Sequence, residues 1–241
     1  MDKNNSRQDE QQIEEQLEAM AKAGTFEQIQ KKSKPYLRLM SYYKCAIMEI
    51  ETKFNILNEE YSLELGRNPI SSIKSRLKKI KSIIEKLEKQ NLPKTLESVE
   101  LHLHDIAGVR VICSFPDNVY KLADAFLKQD DVTLIEKKDY IKNPKPNGYR
   151  SLHLIVSIPI FLAHQKKEMT VEVQLRTIAM DFWASLEHQI HYKKNMVFTE
   201  AMEWELEECA RISAELDERM DKLRMNAERM EIKAEKENKY T

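Results

Sequence analysis

Two segments of the chain, YRSLHLIVSI (149–158) and MTVEVQLRT (169–177), alternate apolar and polar side chains. Successive side chains of a β-strand point to opposite faces, so this period of two predicts a pair of strands, each with one apolar face. The apolar positions are Leu152, Leu154 and Val156 in the first segment and Val171, Val173 and Leu175 in the second. A fold that contains these strands must bury the apolar faces against other elements.

The opposite faces of the two strands carry side chains that a core does not need. They are Tyr149, Ser151 and His153 in the first strand and Glu172, Gln174 and Arg176 in the second. An edge strand with one solvent-exposed face would explain these polar side chains. A binding surface explains them better, because each buried polar group without a partner costs about 1–3 kcal/mol and both strands show the pattern. Asn147-Gly148, directly before the first strand, predicts a tight turn.

The remaining segments predict a chain that is helical at both ends. Apolar residues recur at three- and four-residue steps in segments 35–65, 70–90, 118–129, 178–193 and 199–233, and short β-branched runs at 106–115 and 132–141 add two strands. Gly occurs only 4 times and Pro 7 times among 241 residues, which also favours long helices. We therefore predict an α+β fold, in which a mixed sheet of four to five strands carries packed helices and long N- and C-terminal helices extend beyond it.

Polarity divides the chain into three parts. Residues 1–33 are rich in Gln, Glu and Lys, which predicts a mobile polar tail. We expect one folded domain, including the terminal helices, over residues 34–225. Residues 226–241 are expected to form a charged C-terminal tail.

Charge and cysteine content exclude several classes of protein. The 39 basic and 40 acidic residues nearly cancel, which argues against a general DNA-binding protein but permits local basic patches. Cys45, Cys113 and Cys209 are odd in number and far apart, so a disulfide framework or a zinc site is not expected, and a reducing compartment fits. Without an apolar leader or a run long enough to span a membrane, the sequence predicts a cytoplasmic protein.

Two carboxylates mark a candidate metal site. Asp105 stands in HDIAGVR, directly before the apolar strand 106–115, and Glu172 stands on the polar face of the strand 169–177. By itself Asp105 would be explained as the cap of a turn or helix. If the two strands are neighbours, however, the pair supplies hard oxygen ligands and leaves positions open for phosphate oxygens, an arrangement that suits Mg²⁺.

Basic residues are concentrated in two clusters near these carboxylates. The first lies in SSIKSRLKKIKSIIEK (71–86), within the predicted helix 70–90, and the second comprises Lys137, Lys138, Lys142 and Lys145. Basic runs usually form a solvated face. Two of them on either side of two carboxylates indicate phosphate-rich substrates bound with Mg²⁺. The chain contains no GxxxxGK[ST], so a P-loop enzyme is excluded.

Four motifs together resemble the synthetase domain of the RelA/SpoT alarmone synthetases. They are HDIAGVRVICSF (104–115), DYIKNPKPNGYRSLHL (139–154), VEVQLRT (171–177) and MDFWASLEH (180–188). The resemblance covers roughly residues 35–225 and is specific, because several separate motifs agree in order. The chain is similar to the stand-alone small alarmone synthetases, most closely to the RelP type, and the resemblance implies a nucleotidyltransferase-like synthetase domain.

The resemblance implies a (p)ppGpp synthetase of the bacterial stringent response. Such an enzyme transfers the β,γ-diphosphate of ATP to the 3′-hydroxyl of GDP or GTP, giving ppGpp or pppGpp and AMP, with Mg²⁺ as cofactor. The matching catalytic and metal-binding acids are Asp105 and Glu172, and Glu172 is also placed to take the 3′-hydroxyl proton. The matching ATP-binding residues are Arg76 and Arg110 around adenine and Lys78, Ser82 and Lys86 on the phosphates. Those on the GDP/GTP side are Lys138, Lys145, Asn147, Tyr149, His153 and Gln174, with Tyr149 stacking on guanine.

Two other functions remain open at this point. A toxin-type relative would use adenosine nucleotides or tRNA as the acceptor, and an aromatic ring does not by itself distinguish guanine from adenine. A non-catalytic nucleotide- or RNA-binding module is disfavoured, because Asp105 and Glu172 are both present. The resemblance also implies a homotetramer, for which the apolar stripe of residues 206–223 and the helical N-terminal half are the candidate contacts. Regulation by RNA and the preferred acceptor are left open.

Overall fold

A computed structural model describes residues 25–191 and 198–238 of the chain. The helices are α1 (Thr25–Leu65), α2 (Ile80–Lys89), α3 (Leu96–His102), α4 (Pro116–Leu127), α5 (Ile178–His191) and α6 (Glu200–Asn238), and the strands are β1 (Ile70–Leu77), β2 (Ala107–Cys113), β3 (Thr133–Asp139), β4 (Leu152–Phe161) and β5 (Lys166–Thr177). Within these described ranges, no helix has the length and apolar character needed to cross a bilayer.

The five strands form one mixed sheet in the order β1-β2-β5-β4-β3. Strands β2 and β5 at its centre run parallel, and the other three pairings are antiparallel. The apolar faces predicted for β4 and β5 are fully buried, with Leu154 directly opposite Val173. The prediction of an α+β fold with four to five strands is confirmed, and the period-two alternation identified β4 and β5 correctly.

The predicted helix over residues 70–90 is wrong in its first half. Residues Ile70–Leu77 form β1, which pairs antiparallel with β2, and the helix begins only at Ile80. The prediction rested on apolar residues four apart, such as Ile73 and Leu77. A spacing of four fits one helical turn but also places both residues on one face of a strand, so it cannot separate the two. Pairing with β2 decides in favour of the strand.

Element ends also differ from the sequence expectations. Helix α1 begins ten residues before Pro35, α6 continues without a break beyond residue 225, and the short helix α3 was not predicted. Contacts divide the chain into two compact units, residues 1–42 and 43–241, and the second contains the whole sheet. The predicted tail at 1–33 lies mostly outside the described residues, so the domain boundaries stay a prediction.

Helices α5 and α6 pack on each other beside the end of β5. Trp183 and Ala184 of α5 and Ala210 of α6 are buried together. The indole Nε1 of Trp183 donates a hydrogen bond to the backbone oxygen of Leu206 at 3.0 Å. Tyr149, from the loop before β4, packs against the same cluster. The two helices therefore form the support for this loop.

The loop before β4 turns at Gly148, as the Asn-Gly pair predicts. The Gly148 nitrogen donates to the Lys145 oxygen at 2.8 Å, and Gly148 has φ of +81°. Positive φ is strained for residues with a side chain. A Cβ at this position would also come within 2.4 Å of the Ala210 Cβ on α6. Both the turn and the close approach to α6 therefore require glycine.

Replacing Gly148 by Ala is expected to destabilise the fold by about 1–3 kcal/mol, because the strained turn is compounded by overpacking against Ala210. Gly66 is the matched control: its φ is +63°, but a Cβ there would meet no atom within 4 Å. Urea unfolding of both variants should show the larger loss for Gly148→Ala. Equal losses of unfolding free energy in the two variants would mean that backbone strain alone matters and that the loop is not packed tightly against α6.

Candidate active site

Strand register brings the two polar faces together on one side of the sheet. Across β4 and β5, His153 lies opposite Gln174, and across β2 and β5, Gly108 lies opposite Glu172. Asp105 stands just before β2, so its strand is the direct neighbour of the strand that carries Glu172. The condition for a two-carboxylate site is therefore met.

Five side chains on this face are joined by a closed ring of hydrogen bonds. The Tyr149 hydroxyl bonds the His153 Nε2 at 2.8 Å, and the His153 Nδ1 bonds the Glu172 Oε1 at 3.1 Å. The other Glu172 oxygen accepts from the Gln174 Nε2 at 3.0 Å. Arg176 closes the ring, since its Nη2 donates to the Gln174 Oε1 at 2.8 Å and also to the Tyr149 hydroxyl. The predicted guanosine-side residues Tyr149, His153 and Gln174 thus fix one another and Glu172.

The ring has one consistent arrangement of protons when His153 is neutral. The Tyr149 oxygen accepts from Arg176, so its own proton is free to go to the His153 Nε2. His153 then carries its proton on Nδ1 and donates it to Glu172, which leaves every member with a partner. A carboxylate held in this way has a fixed direction toward its substrate.

Arg176 is a site residue that sequence reasoning placed on the polar face without giving it a role. Its side chain is only 4% exposed. Besides closing the ring, its Nε donates to the Ser151 Oγ at 3.3 Å and its Nη1 reaches the Asp181 Oδ1 at 3.4 Å. Asp181, in the first turn of α5, was also missed. The signal was its position inside MDFWASLEH directly after the polar strand.

Glu172 is held as a carboxylate although it is largely buried. Burial raises its pKa, and the nearby charge of Asp105 raises it further. The hydrogen bonds from His153 and Gln174, together with the positive charge that His153 carries in its protonated form, outweigh both effects, so the pKa of Glu172 lies below its ordinary value.

Asp105 is paired with two of the predicted ATP-phosphate residues. Its Oδ2 accepts from the Lys78 Nζ and lies 2.7 Å from the Lys86 Nζ. Burial raises the pKa of Asp105, but the two lysines outweigh it and lower the pKa below the ordinary value. Its Oδ1 is buried and has no hydrogen-bond partner among the described residues. One oxygen of Asp105 is therefore available to a ligand that the protein does not supply.

These carboxylates fit a magnesium ion that also binds phosphate. Among the described residues, no group of three or more His, Cys, Asp or Glu side chains could hold a metal alone. Asp105 and Glu172 supply two carboxylates, and the unpartnered Oδ1 is the kind of hard oxygen that Mg²⁺ takes. A site with one or two carboxylates, completed by substrate phosphates and water, is how Mg²⁺ is commonly bound.

Two open clefts meet at Glu172. The first, of about 390 Å³, lies over β1, β2 and β5 and includes Arg76, Arg110 and Gln174 in its lining. The second, of about 480 Å³, lies over β3, β4 and β5 and includes Lys138, Lys145 and His153. Glu172 lines both. The two arginines predicted for the ATP side thus line the first cleft, and Lys138, Lys145 and His153, predicted for the guanosine side, line the second. Gln174, also predicted for the guanosine side, lines the first cleft instead.

The residues predicted for the ATP side come from adjacent elements. Arg76 lies opposite Gly108 across β1 and β2, and Arg110 follows on β2. Lys78 directly follows β1, and Lys86 lies on α2. Both lysines form ion pairs with Asp105. Ser82 is exposed in the first turn of α2, where the backbone N–H groups have no acceptor within the helix.

Lysines and aromatic rings surround the second cleft. The Lys145 Nζ lies 5.0 Å from the ring centroid of Tyr149 and 4.8 Å from that of Tyr140. The side chain of Asn147 holds the backbone of the loop, because its Oδ1 accepts a hydrogen bond from the Tyr149 nitrogen at 3.2 Å. Lys138 is half exposed on β3 and pairs with Glu136 at 3.0 Å. Asn147 therefore positions Tyr149, and Lys138 remains accessible at the rim.

Comparison with known proteins places this geometry in a family. Residues 75–197 match the model of a region found in RelA and SpoT proteins. The chain is 47% identical over 178 residues to the GTP pyrophosphokinase YwaC of Bacillus subtilis strain 168, covering 74% of this chain and 85% of that protein. It is 33% identical over 191 residues to the GTP pyrophosphokinase YjbM of the same strain, covering 79% and 89%.

Solved structures agree with the sequence matches. Small alarmone synthetase 2 from Bacillus subtilis superposes with a TM-score of 0.72 at 42% identity, covering 79% of this chain and 98% of that one. Small alarmone synthetase 1 from the same organism, bound to its product pppGpp, superposes with a TM-score of 0.73 at 33% identity, covering 80% and 98%. The RelP subtype stays a prediction, but the family is established: the chain belongs to the RelA/SpoT family.

Proposed function

We propose that this chain is a (p)ppGpp synthetase, which transfers the β,γ-diphosphate of ATP to the 3′-hydroxyl of GDP or GTP and releases AMP. One observation carries the proposal: Glu172 lines both clefts. A transfer between two nucleotides needs two binding spaces that share the reacting groups. The names of the relatives as GTP pyrophosphokinases and the pppGpp bound to small alarmone synthetase 1 support the same reaction.

The first cleft is the proposed ATP site. Arg76 and Arg110 hold adenine between their guanidinium groups, which stack on planar rings. Lys78, Lys86 and Ser82 bind the phosphates near Asp105, and the ion pairs between Asp105 and both lysines support this placement. When ATP binds, its phosphate oxygens become additional acceptors for these lysines.

The second cleft is the proposed GDP or GTP site. The Tyr149 ring stacks on guanine, while Asn147, His153 and Gln174 hold the ring and the neighbouring polar groups in place. Lys138 and Lys145 supply positive charge for the phosphates of the acceptor. Stacking on one aromatic side chain contributes about 1–3 kcal/mol per base, so Tyr149 accounts for a substantial share of acceptor affinity.

Magnesium is the proposed cofactor, held by Asp105 and Glu172. When bound, it neutralises negative charge on the phosphate oxygens that approach these carboxylates. The unpartnered Oδ1 of Asp105 supports this assignment.

Glu172 takes the proton in the proposed reaction. The 3′-oxygen of the acceptor forms a bond to the β-phosphorus of ATP, the bond from that phosphorus to the oxygen bridging the α-phosphate breaks, and AMP leaves with that oxygen. The hydroxyl proton passes to Glu172, whose lowered pKa keeps it ionised in spite of its burial. His153 and Gln174 keep the carboxylate oriented through the transfer, so positioning supplies much of the rate.

A homotetramer and a cytoplasmic location are proposed with the function. Apolar side chains are more than half exposed along α6 at Ile212, Leu216, Met220 and Leu223, and along α5 at Ile178 and Phe182. Continuous exposed apolar surface of this kind typically marks contacts between proteins. The stripe predicted from the sequence thus faces outward over much of its length, as a subunit contact requires.

The proposed reaction is tested by incubating the purified chain with Mg²⁺, ATP and each of GDP, GTP, GMP and ADP, and separating the products by anion exchange. AMP should appear together with a guanosine tetra- or pentaphosphate. Glu172→Gln should lose at least about 10²-fold in rate, since it removes the proposed base, while it keeps the shape of the side chain.

Two results would contradict the proposal. Release of AMP only with ADP as acceptor would make the chain an adenosine alarmone synthetase. An absence of AMP with all four acceptors would redirect the search to tRNA acceptors or to a binding role.

Two substitutions at Tyr149 separate its ring from its hydroxyl. Tyr149→Ala removes the stacking surface and should raise the KM for the guanosine acceptor about 10- to 100-fold. Tyr149→Phe keeps the ring and loses only the bonds to Arg176 and His153, so the KM should rise clearly less than in Tyr149→Ala. The KM for ATP should change little in both variants. Steady-state kinetics with each nucleotide varied in turn gives these values, and equal losses in Phe and Ala would refute the platform role.

A further inference from the structure

Asp181 forms ion pairs with three basic side chains, one from each of three neighbouring strands. Its Oδ2 accepts from the Lys74 Nζ of β1 at 3.0 Å, and its Oδ1 lies 3.4 Å from Nη1 of both Arg110 on β2 and Arg176 on β5. The Asp181 side chain is only 10% exposed. It belongs to neither the proposed metal pair nor the hydrogen-bonded ring, yet it contacts Arg110, which lines the first cleft, and Arg176, which is a member of the ring.

The cations around Asp181 would repel one another without it. Burial lowers the pKa of Arg110, and the positive charge of Arg176 lowers it further. Arg176 is nearly buried, and a buried charge without a counter-ion is strongly destabilising. Asp181 is therefore the counter-ion that lets two arginines stand side by side on adjacent strands. Three positive charges against one negative charge still leave an excess that suits phosphate-bearing ligands.

One branch of contacts leads from Asp181 to the second cleft. Asp181 holds Nη1 of Arg176, while Nη2 of the same guanidinium donates to the Tyr149 hydroxyl and to Gln174. Because the guanidinium is planar and rigid, fixing one of its nitrogens fixes the directions of the others. Asp181 thus sets the placement of the proposed guanine platform without touching the base.

The other branch leads to the first cleft. Arg110 lines that cleft beside Arg76, and its Nη1 is the atom that faces Asp181. The Nε of Arg110 is buried and has no partner among the described residues. Its ion pair with Asp181 therefore orients this guanidinium toward the proposed adenine position.

We propose that Asp181 is a positioning residue that aligns both nucleotide sites at once, through Arg176 on the guanosine side and Arg110 on the ATP side. The proposal rests on the proposed function for the identity of the two ligands. The juxtaposition that carries it is one buried carboxylate bonded to Arg110, which lines the first cleft, and to Arg176, which hydrogen-bonds the Tyr149 hydroxyl.

Asp181→Asn tests the proposal, because it keeps the shape of the side chain and removes its charge. We expect the affinity for GDP alone and for a non-hydrolysable ATP analogue alone, each measured by calorimetry, to fall about tenfold or more. The KM for both nucleotides should rise in parallel, with a smaller change in kcat, because His153 still holds Glu172.

The matched control is Asp217→Asn. Asp217 is another buried carboxylate, bonded to Thr177 at the end of β5 from α6. It should lower thermal stability while leaving both affinities within about twofold of the wild type, since a loss of stability alone does not move ligand affinity. Equal losses of affinity in the two variants, unchanged affinities in Asp181→Asn, or weakening at only one site would overturn the proposal.

A measurement on the wild type covers the case in which Asp181→Asn does not fold. The ring resonances of Tyr149, assigned from their loss in Tyr149→Phe, should shift when the ATP analogue is added without an acceptor. No shift at saturating analogue would overturn the proposed link. If the wild type makes no alarmone but binds both nucleotides, and the variant weakens both, the proposed reaction fails while the role of Asp181 stands.

Discussion

Parallel pairing of β2 with β5 at the centre of the sheet is the constraint on which the site depends. It fixes Gly108 opposite Glu172 and Arg110 opposite Gln174. The register of this one strand pair therefore determines which side chains form the floor of the first cleft. A shift of one residue would turn every side chain of β5 to the other face. It would bury Glu172 in the core and expose Val173 in its place, which the apolar face prevents. The same hydrophobic burial that stabilises the sheet therefore holds the carboxylate in position.

Polar groups on this face are tolerated because they satisfy one another. Glu172, Gln174, Arg176, Tyr149 and His153 each have a partner within the ring, so little desolvation cost remains uncompensated. Such a network is rigid while complete and costly when broken, since each remaining member loses a bond in a poorly solvated space. The buried Oδ1 of Asp105 is the contrast, because no described residue bonds it and a ligand can take the place of a partner there.

The sequence predicted the parts of the fold that depend on local periodicity. Strands β4 and β5, their buried faces and the turn at Gly148 follow from the period of two and the Asn-Gly pair. Strand β1 was misassigned because Ile73 and Leu77 are spaced by four, which satisfies both periods. The ring of hydrogen bonds was not predictable, because it depends on which residues the register brings opposite each other. Asp181 escaped notice for a related reason: its partners lie on three strands that only the fold brings together.

The sharing of Glu172 between the two clefts has a consequence for how such an enzyme can diverge. A substitution that moves this carboxylate alters donor and acceptor together, so neither preference can be tuned there independently. The rim of the second cleft is different, because Glu136 and Lys138 on the exposed edge strand β3 line only this cleft, the proposed acceptor site. Changes in acceptor preference between relatives should therefore accumulate along this outer strand, while the central strands stay nearly invariant.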